Sequence, residues 1–160
     1  MKRLSLCAVL AGLLLAGSAI SADEKADAKK KLEKATCPVS GEAIDEAQSL
    51  VYKGAKLYFC CDKCPQAFTK NKAKFAAKAN HQLVVTGQAK EVHCPLTGRD
   101  LDPATAIEIA GVKVAFCCNN CKGKVAAAKA EEQLKLVFSD QAFKKGFEIP
   151  KADKEKKANE

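Results

Sequence analysis

The stretch LYFCCDKC at positions 57–64 places three cysteines within five residues, directly after an apolar run. A second copy, VAFCCNNC, occupies positions 114–121. Thiols at this spacing can hold a soft metal ion, form disulfides or carry out redox chemistry. Any interpretation of the cluster must therefore explain both copies.

Each cluster lies at the C-terminal end of a longer repeat. Residues 37–64 align without a gap with residues 94–121, and 11 of the 28 positions are identical. All the cysteines in the two copies match: Cys37, Cys60, Cys61 and Cys64, then Cys94, Cys117, Cys118 and Cys121. A repeat at a fixed offset is typical of tandem structural units. We therefore predict two modules, at 37–87 and 88–149.

Each module has the same pattern of predicted elements. A Cys-Pro-x-Ser/Thr-Gly turn comes first, and its proline and glycine favour a tight bend. Two short strands follow around a glycine turn, and in the second module apolar and polar residues alternate along both strands. An Ala/Lys-rich run then predicts one helix per module. The predicted strands are 49–52 with 55–59 and 106–110 with 112–116, and the predicted helices are 65–79 and 122–133.

The predicted fold class is α+β. A short apolar segment after each helix, 82–87 or 133–138, is expected to add a strand or to pack on the hairpin. The large apolar and aromatic side chains are interpreted as core: Tyr52, Tyr58, Phe68, Phe75 and Phe138.

The N-terminal segment MKRLSLCAVLAGLLLAGSAISA (1–22) reads as a secretory signal peptide, because a basic start precedes a short apolar core and small residues. Cleavage is expected near Ala22 or Ala19 and removes Cys7, which leaves eight cysteines. A charged linker (23–35) and a charged tail (150–160) flank the modules. No later stretch has the length and apolarity of a membrane span. The sequence thus predicts a periplasmic or secreted protein.

Export makes disulfides a serious alternative. An even number of cysteines in an exported chain is typical of a disulfide framework. The stapling bridges would be Cys37–Cys64 and Cys94–Cys121. A bridge between sequence neighbours such as Cys60 and Cys61 would be strained, however, and a purely stapling design has no use for such pairs. Two matched sets of four favour a site that is built twice.

The spacing explains how the sulfurs of one set can converge. Cys60 and Cys64 are four residues apart, and Cys61 and Cys64 are three apart, so they share one face of the first helical turn if the helix begins near Cys61. A helix N-terminus also favours the thiolate form. The hairpin between can fold Cys37 back over the helix start. Four sulfurs around one point would make a tetrahedral site for a soft metal ion.

The order of Cys turn, β-hairpin and Cys pair at a helix start resembles the treble-clef zinc fingers. More narrowly it resembles the TRASH and YHS metal-binding modules, whose pattern is a Cys, about twenty residues, and Cys-x3-Cys after an aromatic residue. Here Phe59 and Phe116 match that aromatic, and YKGAKLYFC (52–60) is similar to the YHS hairpin. The resemblance covers both modules and implies binding, sensing or trafficking of heavy metals such as zinc or copper.

The sequence departs from this pattern at two positions per module. The second Cys of a zinc-knuckle turn is replaced by Ser40 and Thr97, and an extra cysteine is added at Cys61 and Cys118. We infer that the extra thiol replaces the missing fourth ligand, with a spare thiol for metal transfer as the alternative. Two sites for zinc or copper are expected. Zinc would be structural and closed, whereas copper(I) would indicate a chaperone or buffer.

Other functions have less support. The formal net charge is +8, but the lysines are spread along helical runs and tails with few aromatics, which indicates a solvated surface rather than a nucleic-acid site. His93 has Thr36 as its counterpart, so it is outside the repeated site, and His81 is expected near a helix end. Asp45 and Asp102 follow turns, where Asp commonly accepts backbone N–H bonds. We predict a non-enzymatic protein whose partners are the metal ion and another extracytoplasmic protein.

Two alternatives to metal binding stay open. One is a disulfide-stapled interaction module without metal. The other is a thiol–disulfide redox protein that uses Cys61-x2-Cys64 and Cys118-x2-Cys121, although no βαβ pattern surrounds either pair.

Overall fold

The computed structural model describes residues 29–150, so the predicted signal peptide and the chain from residue 151 onward lie outside the described residues. Residues 29–33 are helical. The elements that follow are β1 (Asp45–Tyr52), β2 (Ala55–Phe59), α1 (Lys63–Lys70), α2 (Lys72–Val85), β3 (Lys90–Glu91), β4 (Asp102–Ile109), β5 (Val112–Phe116), α3 (Asn119–Ala126), α4 (Ala130–Phe138), α5 (Asp140–Gly146) and β6 (Phe147–Glu148). The predicted α+β class is confirmed.

Both predicted β-hairpins are present. Strands β1 and β2 pair antiparallel, as do β4 and β5. The two central residues of each connection have positive φ: Lys53 (53°) with Gly54 (87°), and Ala110 (48°) with Gly111 (81°). Two-residue turns of this kind match the right-handed twist of the flanking strands. Each hairpin therefore delivers its second strand to a cysteine cluster in the same way.

The helical runs differ from the prediction. The expected single helix over 65–79 is two helices, because Asn71 leaves the helical conformation between α1 and α2 (φ −134°, ψ 48°). The run over 122–133 also breaks, between α3 and α4. Of the two alternatives for the segments after the helices, an added strand is not formed, since residues 82–85 end α2 and 133–138 complete α4. The first segment packs on the hairpin instead, where Gln82 is hydrogen-bonded to Tyr58 of β2. Good helix formers immediately upstream extend the helix into these segments, because adding a residue to an existing helix is far easier than starting one.

The two repeat units share one hydrophobic core. Four phenylalanines are fully buried in a single cluster that draws on both units: Phe59, Phe68, Phe116 and Phe138. Helix α2 of the first unit packs against α4 of the second. Among the predicted core residues, Phe68 and Phe138 are fully buried, while the other three, Tyr52, Tyr58 and Phe75, are half-buried.

Polar contacts also join the units. The Asp140 carboxylate accepts hydrogen bonds from Lys53 Nζ (2.7 Å), Tyr52 Oη (3.2 Å) and Asn80 Nδ2 (3.0 Å). Asn80 is fully buried, and its Nδ2 also donates to the Phe138 carbonyl at 2.8 Å. A buried amide with such partners fixes the position of the helices on either side of it.

The segment before the second cysteine turn is held by the end of the second unit. Strands β3 and β6 pair antiparallel, and the N–H groups of Val92 and His93 donate to the Gly146 carbonyl at 2.8 and 3.2 Å. A Cβ at position 146 would lie only 2.8 Å from the His93 carbonyl oxygen, so glycine is needed for this close approach. In the described part of the chain, no helix has the length and apolarity needed to cross a membrane.

Candidate metal centre

The Cys-Pro turns bring the first ligand of each set to the site. The Cys37 N–H donates to the Glu42 carbonyl (2.7 Å), and the Gly41 N–H donates to the Cys37 carbonyl (2.8 Å). The second unit repeats this arrangement, with the Cys94 N–H donating to the Arg99 carbonyl at 2.8 Å. The backbone N–H of each turn cysteine is therefore paired within its own turn.

The first site, site 1, is a triad formed by three elements. Cys37 comes from the turn, Cys60 follows β2 and Cys64 lies in the first turn of α1. Their three sulfurs all lie within 4.8 Å of one another. Cys37 is fully buried, Cys64 is 8% exposed and Cys60 is half-buried, so the site opens to solvent on the Cys60 side.

The second site, site 2, repeats the triad. The sulfurs of Cys94, Cys117 and Cys121 also lie within 4.8 Å of one another, with Cys94 fully buried, Cys121 8% exposed and Cys117 half-buried. All eight cysteines in residues 29–150 are free thiols. The structure thus brings together, as two triads, six of the eight cysteines that the sequence predicted as ligands.

The extra cysteines lie beside the triads. In site 1 the Cys61 sulfur is 3.8 Å from Cys60 Sγ and 3.5 Å from Cys64 Sγ. In site 2 the Cys118 sulfur is 3.8 Å from Cys117 Sγ. Both extra cysteines are half-buried and lie outside the set of three sulfurs that are mutually within 4.8 Å.

The sulfur spacings fit a metal-thiolate site. Thiolates bound at about 2.3 Å to a tetrahedral ion lie about 3.8 Å from one another. Cys60 and Cys64 sulfurs are 3.6 Å apart, and Cys117 and Cys121 sulfurs are 3.8 Å apart. A disulfide, by contrast, needs about 2.05 Å between the sulfurs. The residues present therefore suit a soft or borderline ion held by sulfur.

The turn cysteines are the most acidic thiols of the triads. Burial raises the pKa of Cys37, but hydrogen bonds from Ser40 and from the backbone outweigh it and lower the pKa to about 7. Cys94 follows the same balance, with Thr97 in the place of Ser40, and its pKa is also lowered to about 7. A thiol with a pKa near neutrality is readily available as a thiolate ligand.

The helix cysteines of the triads show the opposite shift. Burial, and then the neighbouring thiols, raise the pKa of Cys64 far above its usual range. The same causes raise the pKa of Cys121 to about 12. Several thiolates packed together repel one another, so the set cannot ionise fully without a cation between them.

The extra cysteines are again acidic. A hydrogen bond with Cys64, followed by the N–H groups of the first turn of α1, lowers the pKa of Cys61. The Cys121 N–H, followed by the neighbouring thiol of Cys117, lowers the pKa of Cys118. The predicted effect of a helix N-terminus on these thiols is therefore present at both sites.

Two polar side chains that the sequence reasoning missed support the second strands of the hairpins. The buried Gln82 amide accepts from the Tyr58 N–H and donates to the carbonyls of Tyr58 and Thr36, each at 2.8 Å. It thereby joins the residue before Cys37 to the strand that leads to the first cluster. In the second unit Glu91 Oε2 accepts from the Ala115 N–H at 2.9 Å, and Ala115 is the counterpart of Tyr58.

Fewer of the polar atoms of Glu91 than of Gln82 have hydrogen-bond partners. Its second oxygen, Oε1, is buried without a hydrogen-bond partner. Burial, opposed by the Ala115 N–H, raises the pKa of Glu91 to about 7. Neither support repeats at the 57-residue offset, so comparing the two copies of the sequence gives no signal for them.

The histidines lie outside both triads. His81 Nε2 is 3.0 Å from the Ala110 carbonyl oxygen, which assigns the ring proton to Nε2, and the ring packs edge-on against Phe138. His93 Nε2 is 3.9 Å from an Asp100 carboxylate oxygen. Asp45 and Asp102 each accept a backbone N–H two residues on, at 3.0 Å, as the turn interpretation predicts.

Comparison of the chain with protein-family models, with curated proteins and with solved structures gives no match. The resemblance to TRASH and YHS modules therefore stays a prediction from the motif. The function is therefore inferred from the two cysteine sites themselves.

Proposed function

We propose that the protein binds two metal ions, one at each cysteine triad, and that it serves in metal handling outside the cytoplasm. The single observation that carries the proposal is the convergence of three sulfurs to within 4.8 Å at two separate places. Cysteine pairs that only staple a chain have no need for a third sulfur at the same point.

The donor chemistry favours zinc or copper(I). Thiolates are soft ligands, and sites made only of sulfur select zinc, copper(I) or iron–sulfur clusters over harder cations. With Cys61 or Cys118 as a fourth ligand, either site would be a closed zinc site. With three sulfurs, it would suit copper(I), and the half-buried cysteines would serve as a route for the ion.

The proposed location and the absence of catalysis come from the sequence. The N-terminal segment has the features of a secretory signal peptide, and neither cysteine site includes a His, Asp or Glu within its triad. We propose a periplasmic or secreted, non-enzymatic protein built from two TRASH/YHS-like units. Thiol–disulfide exchange at Cys61 and Cys64, whose sulfurs are 3.5 Å apart, is the second candidate function.

Native mass spectrometry of the protein isolated from its own compartment, without added metal or reductant, tests this proposal. We expect a chain that lacks about 22 N-terminal residues and carries two metal ions. Acidification should release both ions and leave eight thiols that react with an alkylating agent. The mass difference between the two states identifies the metal.

Three results would contradict the proposal or a part of it. A metal-free mass that is two hydrogens short for each pair of cysteines would show a disulfide framework. A mixture of reduced and singly oxidised chains that interconverts with a dithiol reagent would favour the redox function. A chain that retains its N-terminus would contradict export without affecting the metal sites.

A further inference from the structure

A cavity of about 420 Å³ lies beside site 2. Its wall includes Cys121, the helix cysteine of that triad, together with residues 95–97 of the cysteine turn. The remaining wall comes from α3, from the end of α4 and from α5. Cavities of roughly 300–1,000 Å³ are typical of small-molecule sites. This space is therefore large enough for a ligand that reaches a cysteine of the proposed metal site.

The cavity is formed by residues that the first unit does not repeat. Helix α5 packs against the turn of site 2, where a Cβ at Gly98 would lie 3.9 Å from Lys145 Cβ. A Cβ at Gly41, the equivalent position of site 1, would meet no atom of the described residues within 4 Å. The α3 residue Lys124 also lines the cavity, and its counterpart in the first unit is Ala67. The two sites thus share their ligands but differ in what surrounds them.

The charged groups in the cavity wall are both positive. Lys124 and Lys145 line the cavity, and no Asp or Glu of the described residues does. Neither lysine forms an ion pair within the described part of the chain. The side-chain amides of Asn120 and Gln141 add hydrogen-bond donors to the same wall. Ammonium groups that concentrate in a cleft attract anions, so the cavity suits a molecule with carboxylate groups.

The neighbouring triad sets the second requirement for the ligand. Three sulfurs leave a tetrahedral ion with a fourth position, which an external ligand can fill. An ion that is held by cysteine sulfur prefers a further soft donor, and thiolate is the soft donor of small biological molecules. A molecule that satisfies both the lysines and the ion is therefore a small thiol with carboxylate groups.

We propose that this cavity binds a small carboxylate-bearing thiol whose sulfur becomes a ligand of the ion at site 2. Lys124 and Lys145 pair with its carboxylates, and its thiol proton passes to water as the metal–sulfur bond forms. Where Cys118 fills the fourth position, its sulfur leaves the ion and takes up a proton as the new sulfur arrives. No electron is transferred. The inference rests on the proposed metal binding and names the ligand class of one site.

Reduced glutathione, a thiol with two carboxylates, is the probe. The protein is loaded with cobalt(II) under anaerobic conditions, and its sulfur-to-cobalt charge-transfer absorption is followed as glutathione is added. We expect a saturable change in the wild type. The same change should occur in Cys37→Ser, which retains site 2, and should be absent from Cys94→Ser, which retains site 1. The two variants thereby assign the bound thiol to one site.

The role of the two lysines is tested with a pair of double variants of equal net charge. Lys124→Gln with Lys145→Gln removes both cations of the cavity wall. Lys122→Gln with Lys144→Gln is the matched control, because these lysines lie on the same helices but do not line the cavity. We expect glutathione to bind the first double variant about tenfold more weakly than the wild type. The control should bind it as the wild type does.

The neutral thiol 2-mercaptoethanol separates the contribution of the carboxylates from that of sulfur. It should bind more weakly than glutathione, and equally in the two double variants. Equal glutathione binding in the two double variants would overturn the inference, and so would loss of the cobalt absorption on addition of glutathione. A cobalt–thiolate spectrum that does not respond to glutathione would overturn it while leaving metal binding intact. A wild-type protein without cobalt–thiolate absorption would instead contradict the metal-binding function itself.

Discussion

Site 1 and site 2 share their ligands but differ in the side chains that support them. The cysteine turn and the triad recur at the same positions of the repeat. A contact of 3.2 Å between a turn hydroxyl and a triad sulfur also recurs, from Ser40 Oγ to Cys60 Sγ and from Thr97 Oγ1 to Cys117 Sγ. The supports come from unrelated places: Gln82 on helix α2 for site 1, and Glu91 on strand β3 for site 2. The repeated features are thus those of the proposed metal sites, whereas the side chains that support them differ.

Removal of a buried ligand should give the largest effect. Cys37→Ser and Cys94→Ser each take away a fully buried sulfur of one triad. With zinc, each variant should retain one ion instead of two after dialysis, because the altered site then has at most three thiolates, including the extra cysteine, in place of the four ligands of a closed zinc site. Metal analysis of the dialysed variants checks this. Retention of both ions in either variant would show that the other sulfurs are sufficient.

The next largest effect is expected from Gln82→Glu. The substitution removes the Nε2 donor to the Thr36 and Tyr58 carbonyls and places a carboxyl group at a position that is 1% exposed. A broken buried network of this kind costs about 3 kcal/mol of unfolding free energy. Urea unfolding of the zinc-saturated protein measures it. Gln88→Glu is the comparison at a less buried amide, which bonds the same strand through the N–H and carbonyl of Lys56, each at 2.7 Å. If the Gln82→Glu variant were as stable as the wild type, the hydrogen bonds of Gln82 would not stabilise site 1.

Glu91→Gln should change the unfolding free energy less than Gln82→Glu does, and should raise it rather than lower it. Because burial raises the pKa of Glu91 in the folded state to about 7, its contribution to stability is complete only below the unfolded value of 4.5. That contribution is lost as the pH rises through 7. The Gln variant should therefore be more stable than the wild type by about 1–2 kcal/mol at pH 8.5 and by much less at pH 5.5.

Both proteins share the pH dependence of metal binding. It therefore cancels when the unfolding free energy of the wild type is subtracted from that of the variant at each pH. Thermal unfolding in saturating zinc at the two pH values measures it. A gain that is the same at both pH values would show that Glu91 does not ionise in this range.

The smallest effect should come from the extra cysteines, and it should differ between the sites. Cys61 Sγ lies 3.5 Å from the helix cysteine of its triad, in addition to its contact with Cys60. As a fourth ligand, it should strengthen site 1, so Cys61→Ser should lower zinc affinity about tenfold. Cys118→Ser is the matched variant at site 2, where we expect a smaller loss. Unchanged affinity in both variants would rule out the fourth-ligand role.

Much of the local structure could be predicted because it depends on residues close in sequence. The hairpins follow from alternating strands around a glycine turn, and the i, i+3 and i, i+4 spacing places Cys61 and Cys64 at a helix start. The six triad cysteines could be identified because both copies of the repeat contain cysteine at the same three positions. These features need no knowledge of how distant parts of the chain meet.

The rest depends on contacts between distant segments. Neither the packing of α2 on α4 nor the contact of Asp140 with Lys53 leaves a pattern in the sequence. The helix break at Asn71 was missed because the surrounding residues are good helix formers and one asparagine is a weak signal. Glu91 reads as an ordinary surface charge until β3 pairs with β6 and places it beside Ala115.

X-ray absorption spectroscopy of the protein, loaded with the metal that it carries when isolated, tests metal binding by the two triads most directly. Metal binding by the triads predicts scattering from three or four sulfur atoms at about 2.2–2.3 Å, and a first coordination shell of sulfur also in variants that retain only one of the two sites. A shell dominated by oxygen or nitrogen would contradict the account. So would a sulfur K-edge spectrum of disulfides, because either result would mean that the two triads do not hold metal through their thiolates.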